Sequence, residues 1–207
     1  MELNIIISYL IISIMASLAI NSILRNFAKQ NNILVDIPDR SRKFHKRATP
    51  LTGGIGILLA VLVSSEIYLN LNSLKGYLPE FSQRLYLASI PLLLLFLIDD
   101  FKPLKPIFRL FIQTILSLYV IYSTDIYLAN FGNLFGFGEI NLGIFGIPIT
   151  VFCVVGIMNA FNMIDGINGL CAGSAMMALL FTGFYSGLIY DSMMIILIGS
   201  VIGFLIF

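Results

Sequence analysis

Pro91-Leu92-Leu93-Leu94-Leu95-Phe96-Leu97-Ile98-Asp99-Asp100 is an apolar run that ends on two adjacent carboxylates. Eight apolar residues in sequence suit a helix in lipid, and two acids at its end suit an interface. The rest of the chain has the same character. Only 11% of its 207 residues are charged, against roughly 25% in an ordinary soluble domain. Apolar residues make up 58%, and the mean hydropathy is +0.97. Such a chain cannot cover a water-facing surface with polar groups. A soluble globular domain, a nucleic-acid binder with a basic face and a disordered tail are all excluded. The expected fold class is all-α, a polytopic transmembrane helix bundle.

Intervals between charges outline the spans. Residues 3–24, 48–65, 85–98, 110–124, 140–164, 166–190 and 192–207 are uncharged. A helix needs about 20 residues to cross the hydrocarbon core. The first, fifth and sixth intervals reach that length unaided. The second does so if Glu66 lies near the far interface, and the third and fourth if Arg84 and Arg109 snorkel outward. The reading is six full spans and a seventh at the chain end, in one membrane domain covering residues 1–207. The apolar run of residues 1–24 has no basic n-region and is too long for a signal peptide.

Basic residues fix the sidedness. Arg25, Lys29, Arg40, Arg42, Lys43, Lys46 and Arg47 follow the first span, and Lys102, Lys105 and Arg109 flank the third and fourth. The other side receives only Lys75 and Arg84. The positive-inside rule then places the N-terminus outside and the 25–50, 99–109 and 159–170 segments in the cytoplasm. The Gly-rich stretch from Thr124 to Pro148 becomes an external loop with turns or a hairpin. Cys153 and Cys171 lie in apolar surroundings and suggest neither a disulfide framework nor a metal site.

Three polar clusters share the cytoplasmic face by this count. The first runs from Asp36 through Pro38, Asp39, Arg40, Lys43, His45 and Arg47 to Pro50, Gly53 and Gly54. As an anchor it would touch anionic headgroups. Glycines opening a helix would also let backbone N–H groups approach a phosphate. The second is Asp99-Asp100. Neighbouring carboxylates resist joint ionisation unless a cation neutralises them, and a hard ion such as Mg²⁺ takes such oxygens while keeping waters. Solvation, or pairing with Lys102 and Lys105, is the plainer alternative. The third is Asn159-Ala160-Phe161-Asn162-Met163-Ile164-Asp165-Gly166-Ile167-Asn168-Gly169-Leu170. On a helix Asn159, Asn162 and Asp165 fall within an arc of about 120°. They suit a metal, a sugar hydroxyl or a base edge, or hydrogen bonds between helices. Together the clusters suggest phosphoryl transfer between a lipid-borne and a cytosolic substrate.

At these residues the chain resembles the polyprenyl-phosphate N-acetylhexosamine-1-phosphate transferases, a glycosyltransferase family 4 group. Three motifs carry the likeness. They are Asp36-x-Pro-x-x-Arg-x-Lys-x-His with Pro50 and Gly53-Gly54, then Asp99-Asp100 followed by Arg109 and Gln113, then Asn159-Ala-x-Asn-x-x-Asp-Gly-x-Asn-Gly-Leu. The resemblance implies transfer of N-acetylhexosamine 1-phosphate from a UDP-sugar to polyprenyl phosphate, with release of UMP. It implies Mg²⁺, with Mn²⁺ as a substitute, a bacterial inner-membrane location, a cytoplasmic active face and compatibility with a homodimer. Asp99 and Asp100 would be catalytic acids around the metal, with Asn162 as a further ligand. Asn159 and Asp165 would hold the nucleotide sugar, and Lys43, His45, Gly53 and Gly54 would meet substrate phosphates. Asn168 stands where many bacterial members carry Asp, and Pro103 where an acid is frequent. No Gly-Asp-x-Gly loop or His-rich loop follows the seventh span, so the chain reads as the N-terminal portion of a longer enzyme.

Two other classes fit less well. A transporter or scaffold would place polar residues at mid-membrane rather than at helix ends. A prenyl-transferring enzyme would need a second acidic cluster, and residues 159–170 offer only Asp165.

Overall fold

A computed structural model describes residues 3–36, 49–71, 80–164 and 169–207. Seven α-helices account for most of them: α1 (Leu3–Asn31), α2 (Gly53–Leu71), α3 (Glu80–Phe101), α4 (Pro106–Thr124), α5 (Gly146–Ile164), α6 (Leu170–Ser186) and α7 (Ser192–Leu205). The protein is a membrane protein. Among the described residues four helices, at Asn4–Asn31, Gly53–Asn70, Pro106–Thr124 and Gly143–Ile164, are long and apolar enough to cross a bilayer. α3 has 22 residues but carries Glu80, Arg84, Asp99 and Asp100 within them. α6 and α7 are apolar but shorter.

A short strand pair stands beside the helices of this all-α chain. Two-residue strands, β1 (Val35–Asp36) and β2 (Thr49–Pro50), pair antiparallel with Val35 opposite Pro50 and Asp36 opposite Thr49. The Leu51 N–H extends the pairing to the Leu34 carbonyl at 2.7 Å. The pair joins the two ends of the basic segment.

The residues form two compact units, Met1–Tyr77 with Ile167–Phe207, and Leu78–Gly166. In the first, α1 packs on α2 and α7. Its interior mixes apolar side chains such as Val61, Ile195 and Ile196 with small polar ones. Ser13, Ser17 and Asn21 recur every fourth residue on α1 and are buried, as are Ser64 and Ser65 on α2 and Ser200 on α7. Ser17 Oγ donates to the Ser200 carbonyl at 2.6 Å, and Asn21 Nδ2 donates to the Ser17 carbonyl at 2.9 Å. A Cβ on Gly203 would lie 2.6 Å from Ser17 Cβ and 2.7 Å from the Ile14 carbonyl oxygen. Ile11, Met15 and Ile23 of α1 point outward and are more than half exposed. Apolar side chains outside, with small and polar ones at the closest helix contacts, is the arrangement lipid favours. Tails solvate Leu and Ile well, so helix contacts depend on close approach and interhelical hydrogen bonds.

In the second unit α4 packs between α3 and α5. Lys105 precedes α4 in an extended conformation and Pro106 opens it, where a missing N–H costs nothing. Asp125 ends it in the left-handed region, its N–H bonded to the Ile121 carbonyl. The buried face of α4 is Gln113, Ser117 and Ile121, again a four-residue repeat. Arg109 stands one turn before Gln113 on the same face. Residues 126–145 return the chain to α5 through a narrow hairpin in which Asn130 bridges Asn141.

Candidate active site

Leu95 is buried one turn before Asp99, so the end of α3 is held against its neighbours. The chain then reverses through Lys102-Pro103-Leu104-Lys105 into α4. Asp99 organises that reversal. Its Oδ1 accepts from the Leu104 N–H at 2.7 Å, and its Oδ2 accepts from Arg109 Nη1 at 2.8 Å. The side chains of Arg109 and Asp99 keep 22% and 14% of their exposure, so the ion pair is largely withdrawn from solvent. Among the described residues, the cation paired with Asp99 is Arg109. Asp100 is the exposed member of the pair. Successive helical residues point about 100° apart, which is why two identical neighbours have different surroundings.

The third cluster meets the same helix. Asn159 sits on α5, half-buried, and its Nδ2 donates to Gln113 Oε1 at 2.7 Å and to the Val155 carbonyl at 2.8 Å. Gln113 is fully buried, and its Nε2 has no hydrogen-bond partner among the described residues. The same holds for Arg109 Nε. Arg109 and Gln113 are four residues apart, hence neighbours on one face of α4. One holds Asp99 from α3 and the other holds Asn159 from α5. Motifs far apart in sequence thus converge on two adjacent residues of α4. Asn162 lies on the last turn of α5 with its side chain exposed.

Lys43, His45 and Asp165 lie outside the described residues. Gly53 opens α2, and a Cβ there would meet the Phe204 ring at 2.7 Å. Its small size therefore serves packing against α7. Gly54 is exposed in the same turn. The Gly56 N–H bonds the Thr52 carbonyl at 2.9 Å, which leaves the N–H groups of Gly53 and Gly54 ahead of the first helical bond.

Arg109 and Gln113 belong to the second motif, yet the sequence alone gave them no role. Their spacing on an amphipathic face was the available signal. From Asn159 an apolar groove of about 540 Å³ follows α4 and α5 past Leu110, Thr114, Val151, Phe152, Val155 and Gly156 to Pro148.

The donor chemistry suits a hard divalent ion. Asp99, Asp100 and Asn162 offer carboxylate and amide oxygens, the kind Mg²⁺ prefers. Each Asp99 oxygen has accepted one hydrogen bond and keeps a further acceptor site.

Residues 82–207 match glycosyl transferase family 4. The chain is 37% identical over 145 residues to an undecaprenyl-phosphate alpha-N-acetylglucosaminyl 1-phosphate transferase of Yersinia pestis, covering 68% of this chain and 36% of that protein. A protein of the same name from Escherichia coli K12 is 36% identical over 141 residues, with the same coverage of each chain. One from Thermotoga maritima is 34% identical over 171 residues, covering 81% of this chain and 48% of the relative. The chain thus spans about a third to a half of the length of these relatives. With the acid pair, the amide cluster and the linking face of α4 inside the matched segment, the chain belongs to glycosyl transferase family 4.

Proposed function

We propose that this chain forms the part of a membrane transferase that moves N-acetylhexosamine 1-phosphate from a UDP-sugar to undecaprenyl phosphate and releases UMP. The convergence on α4 carries the reading: Arg109 binds Asp99 and Gln113 binds Asn159, four residues apart on one face. The names of the relatives supply undecaprenyl phosphate and the N-acetylglucosaminyl 1-phosphate group, and the UDP carrier comes from the motif resemblance.

In the reaction an oxygen of the lipid phosphate attacks the β-phosphorus of the UDP-sugar, the one bearing the sugar. The bond from that phosphorus to the bridging oxygen breaks, and UMP leaves with the electron pair. Both reactants are anions, so positioning and charge stabilisation dominate. Mg²⁺ (or Mn²⁺), when bound by Asp99, Asp100 and Asn162, supplies positive charge that offsets the phosphates. Arg109 fixes the position of the Asp99 carboxylate through their 2.8 Å contact. Lys43, His45 and the N–H groups of Gly53 and Gly54 meet phosphate oxygens. Asn159, oriented by Gln113, and Asp165 hold the nucleotide sugar. A phosphate is already nucleophilic at neutral pH, so no strong general base is required of Asp99 or Asp100. The groove along α4 and α5 takes the isoprenoid chain, because its walls are almost wholly apolar and Asn159 is among the residues that line it.

The finer topology belongs to the same reading: one domain, six full spans and a seventh, the N-terminus outside, and the active face in the cytoplasm of a bacterial inner membrane. It is supported by the ten-to-two division of Lys and Arg. A homodimer is compatible with it, and no nucleic-acid partner is implied.

The test uses membranes containing the protein, expressed from its complete reading frame, with Mg²⁺, undecaprenyl phosphate and radiolabelled UDP-N-acetylglucosamine. A labelled lipid and stoichiometric UMP are expected, both lost in Asp100→Asn. No lipid-linked product from any UDP-N-acetylhexosamine would overturn the proposal.

A further inference from the structure

The hairpin between α4 and α5 has no part in that chemistry, and its composition is unusual for a connecting loop. Leu134, Phe135, Phe137, Ile144 and Phe145 are 63% to 98% exposed, with Phe137 the most open. Between Asp125 and Pro148 the only charged residue is Glu139. Loops in water are ordinarily polar, and several exposed large apolar side chains close together mark a surface that is covered by something.

The backbone of this loop is prepared for a poorly hydrated setting. Phe131 N–H donates to the Ile140 carbonyl at 3.0 Å, Ile140 N–H to the Gly132 carbonyl at 3.1 Å and Leu142 N–H to the Ala129 carbonyl at 2.9 Å. Asn side chains serve the tip: Asn130 Oδ1 accepts from the Gly132 N–H at 3.2 Å and Asn133 Oδ1 from the Gly138 N–H at 3.1 Å. Gly136 and Gly138 adopt positive φ there, at 79° and 112°, which lets the tip turn within a few residues. Groups bonded in this way lose less when water is withdrawn.

Its position identifies the covering. The hairpin leaves the end of α4 and enters the start of α5, and both helices are long and apolar enough to cross a bilayer. From Gln113 to Thr124 is about 16 Å along the helix, so the hairpin lies at the end away from the Arg109–Gln113 face. We propose that this hairpin is a lipid-inserted finger. Leu134, Phe135 and Phe137 enter the boundary between headgroups and acyl chains of the leaflet at that end, and so fix the depth of α4 and α5. With one acid and no Lys or Arg, the insertion is apolar in origin and does not depend on anionic lipid. It rests on α4 and α5 crossing the membrane and is independent of which sugar is transferred.

The protein contains no Trp, so Phe137→Trp creates a single reporter at a site open enough to accept it. The variant is reconstituted in phosphatidylcholine vesicles at two protein densities tenfold apart. The expected result is blue-shifted emission, at least twofold quenching by lipids brominated high on the chain, and iodide quenching at least threefold weaker than for N-acetyltryptophanamide. These values should not change with protein density or added salt. Iodide quenching equal to that of the free indole, with none by brominated lipid, would overturn the proposal. So would lipid quenching that appears only on dilution, since a second copy would then be the occupant. Retention of the protein in vesicles through either failure would leave the spanning helices and the proposed transferase unaffected.

Discussion

Arg109→Ala tests the connection between α3 and α4. Asp99 keeps 14% of its side-chain exposure and Arg109 22%, and they meet through one contact of 2.8 Å. Breaking a fully buried pair by removing one partner costs about 3–5 kcal/mol, whereas an exposed pair contributes about 0–1. A pair this withdrawn, but not sealed, lies between, at about 2 kcal/mol. The Asp99 carboxylate left behind retains the Leu104 N–H, which limits the loss. Asp99→Asn keeps an oxygen for Leu104 and loses only the charge. The measurement is a double-mutant cycle over Arg109→Ala and Asp99→Asn. Thermal unfolding in detergent can be followed by a thiol-reactive dye, because Cys153 and Cys171 are both partly buried and become accessible on unfolding. Arg109→Ala should be the most destabilised of the three variants, the double variant should recover part of the loss, and the coupling should come to about 2 kcal/mol. Lipid-linked product should fall at least a hundredfold in all three. Additive effects, with coupling below about 0.5 kcal/mol, would refute the view that this pair holds the end of α3 against α4.

Gln113→Leu should separate activity from stability. It removes the acceptor for Asn159 but also an unpartnered buried Nε2, so the melting temperature should move little while kcat/KM falls about tenfold, or about 1.4 kcal/mol. Gly203→Val forces side-chain carbons onto Ser17 and the Ile14 carbonyl and should cost at least about 1–3 kcal/mol by the same dye assay, whereas Ile11→Val on the lipid-facing side should be near neutral. Asp191 caps α7 by accepting from the Met193 and Met194 N–H groups, so Asp191→Ala should lower stability by about 1 kcal/mol and Asp191→Ser should restore most of it.

Charge intervals locate the seven helices of the described residues but measure some of them badly. The third interval, 85–98, is shorter than α3 because Arg84, Asp99 and Asp100 lie inside the helix rather than beyond it. The sixth, 166–190, is longer than α6. Gly187 ends that helix in a left-handed conformation and a 3-10 turn follows at Leu188–Tyr190, all without a charged residue to mark the change. The short strand pair had no signal, since neither two-residue strand shows alternation. The buried serines were missed for a physical reason. In lipid, hydropathy does not distinguish inside from outside, and Ser13, Ser17 and Ser200 lie in stretches that are apolar on both faces. The acid pair and the Asn cluster were visible as polar groups that a bilayer would not tolerate without purpose. Their meeting through Arg109 and Gln113 was not visible, because it depends on α4 lying between α3 and α5. The roles of Lys43, His45 and Asp165 still rest on the motifs alone.

The Val35–Pro50 pairing holds the chain at a fixed spacing on either side of residues 37–48. Insertions or replacements between the paired ends need not disturb the registration of the helices on either side. A change of charge among the cations between Asp36 and Thr49 should therefore act on phosphate binding and leave the packing of α1 on α2 as it is.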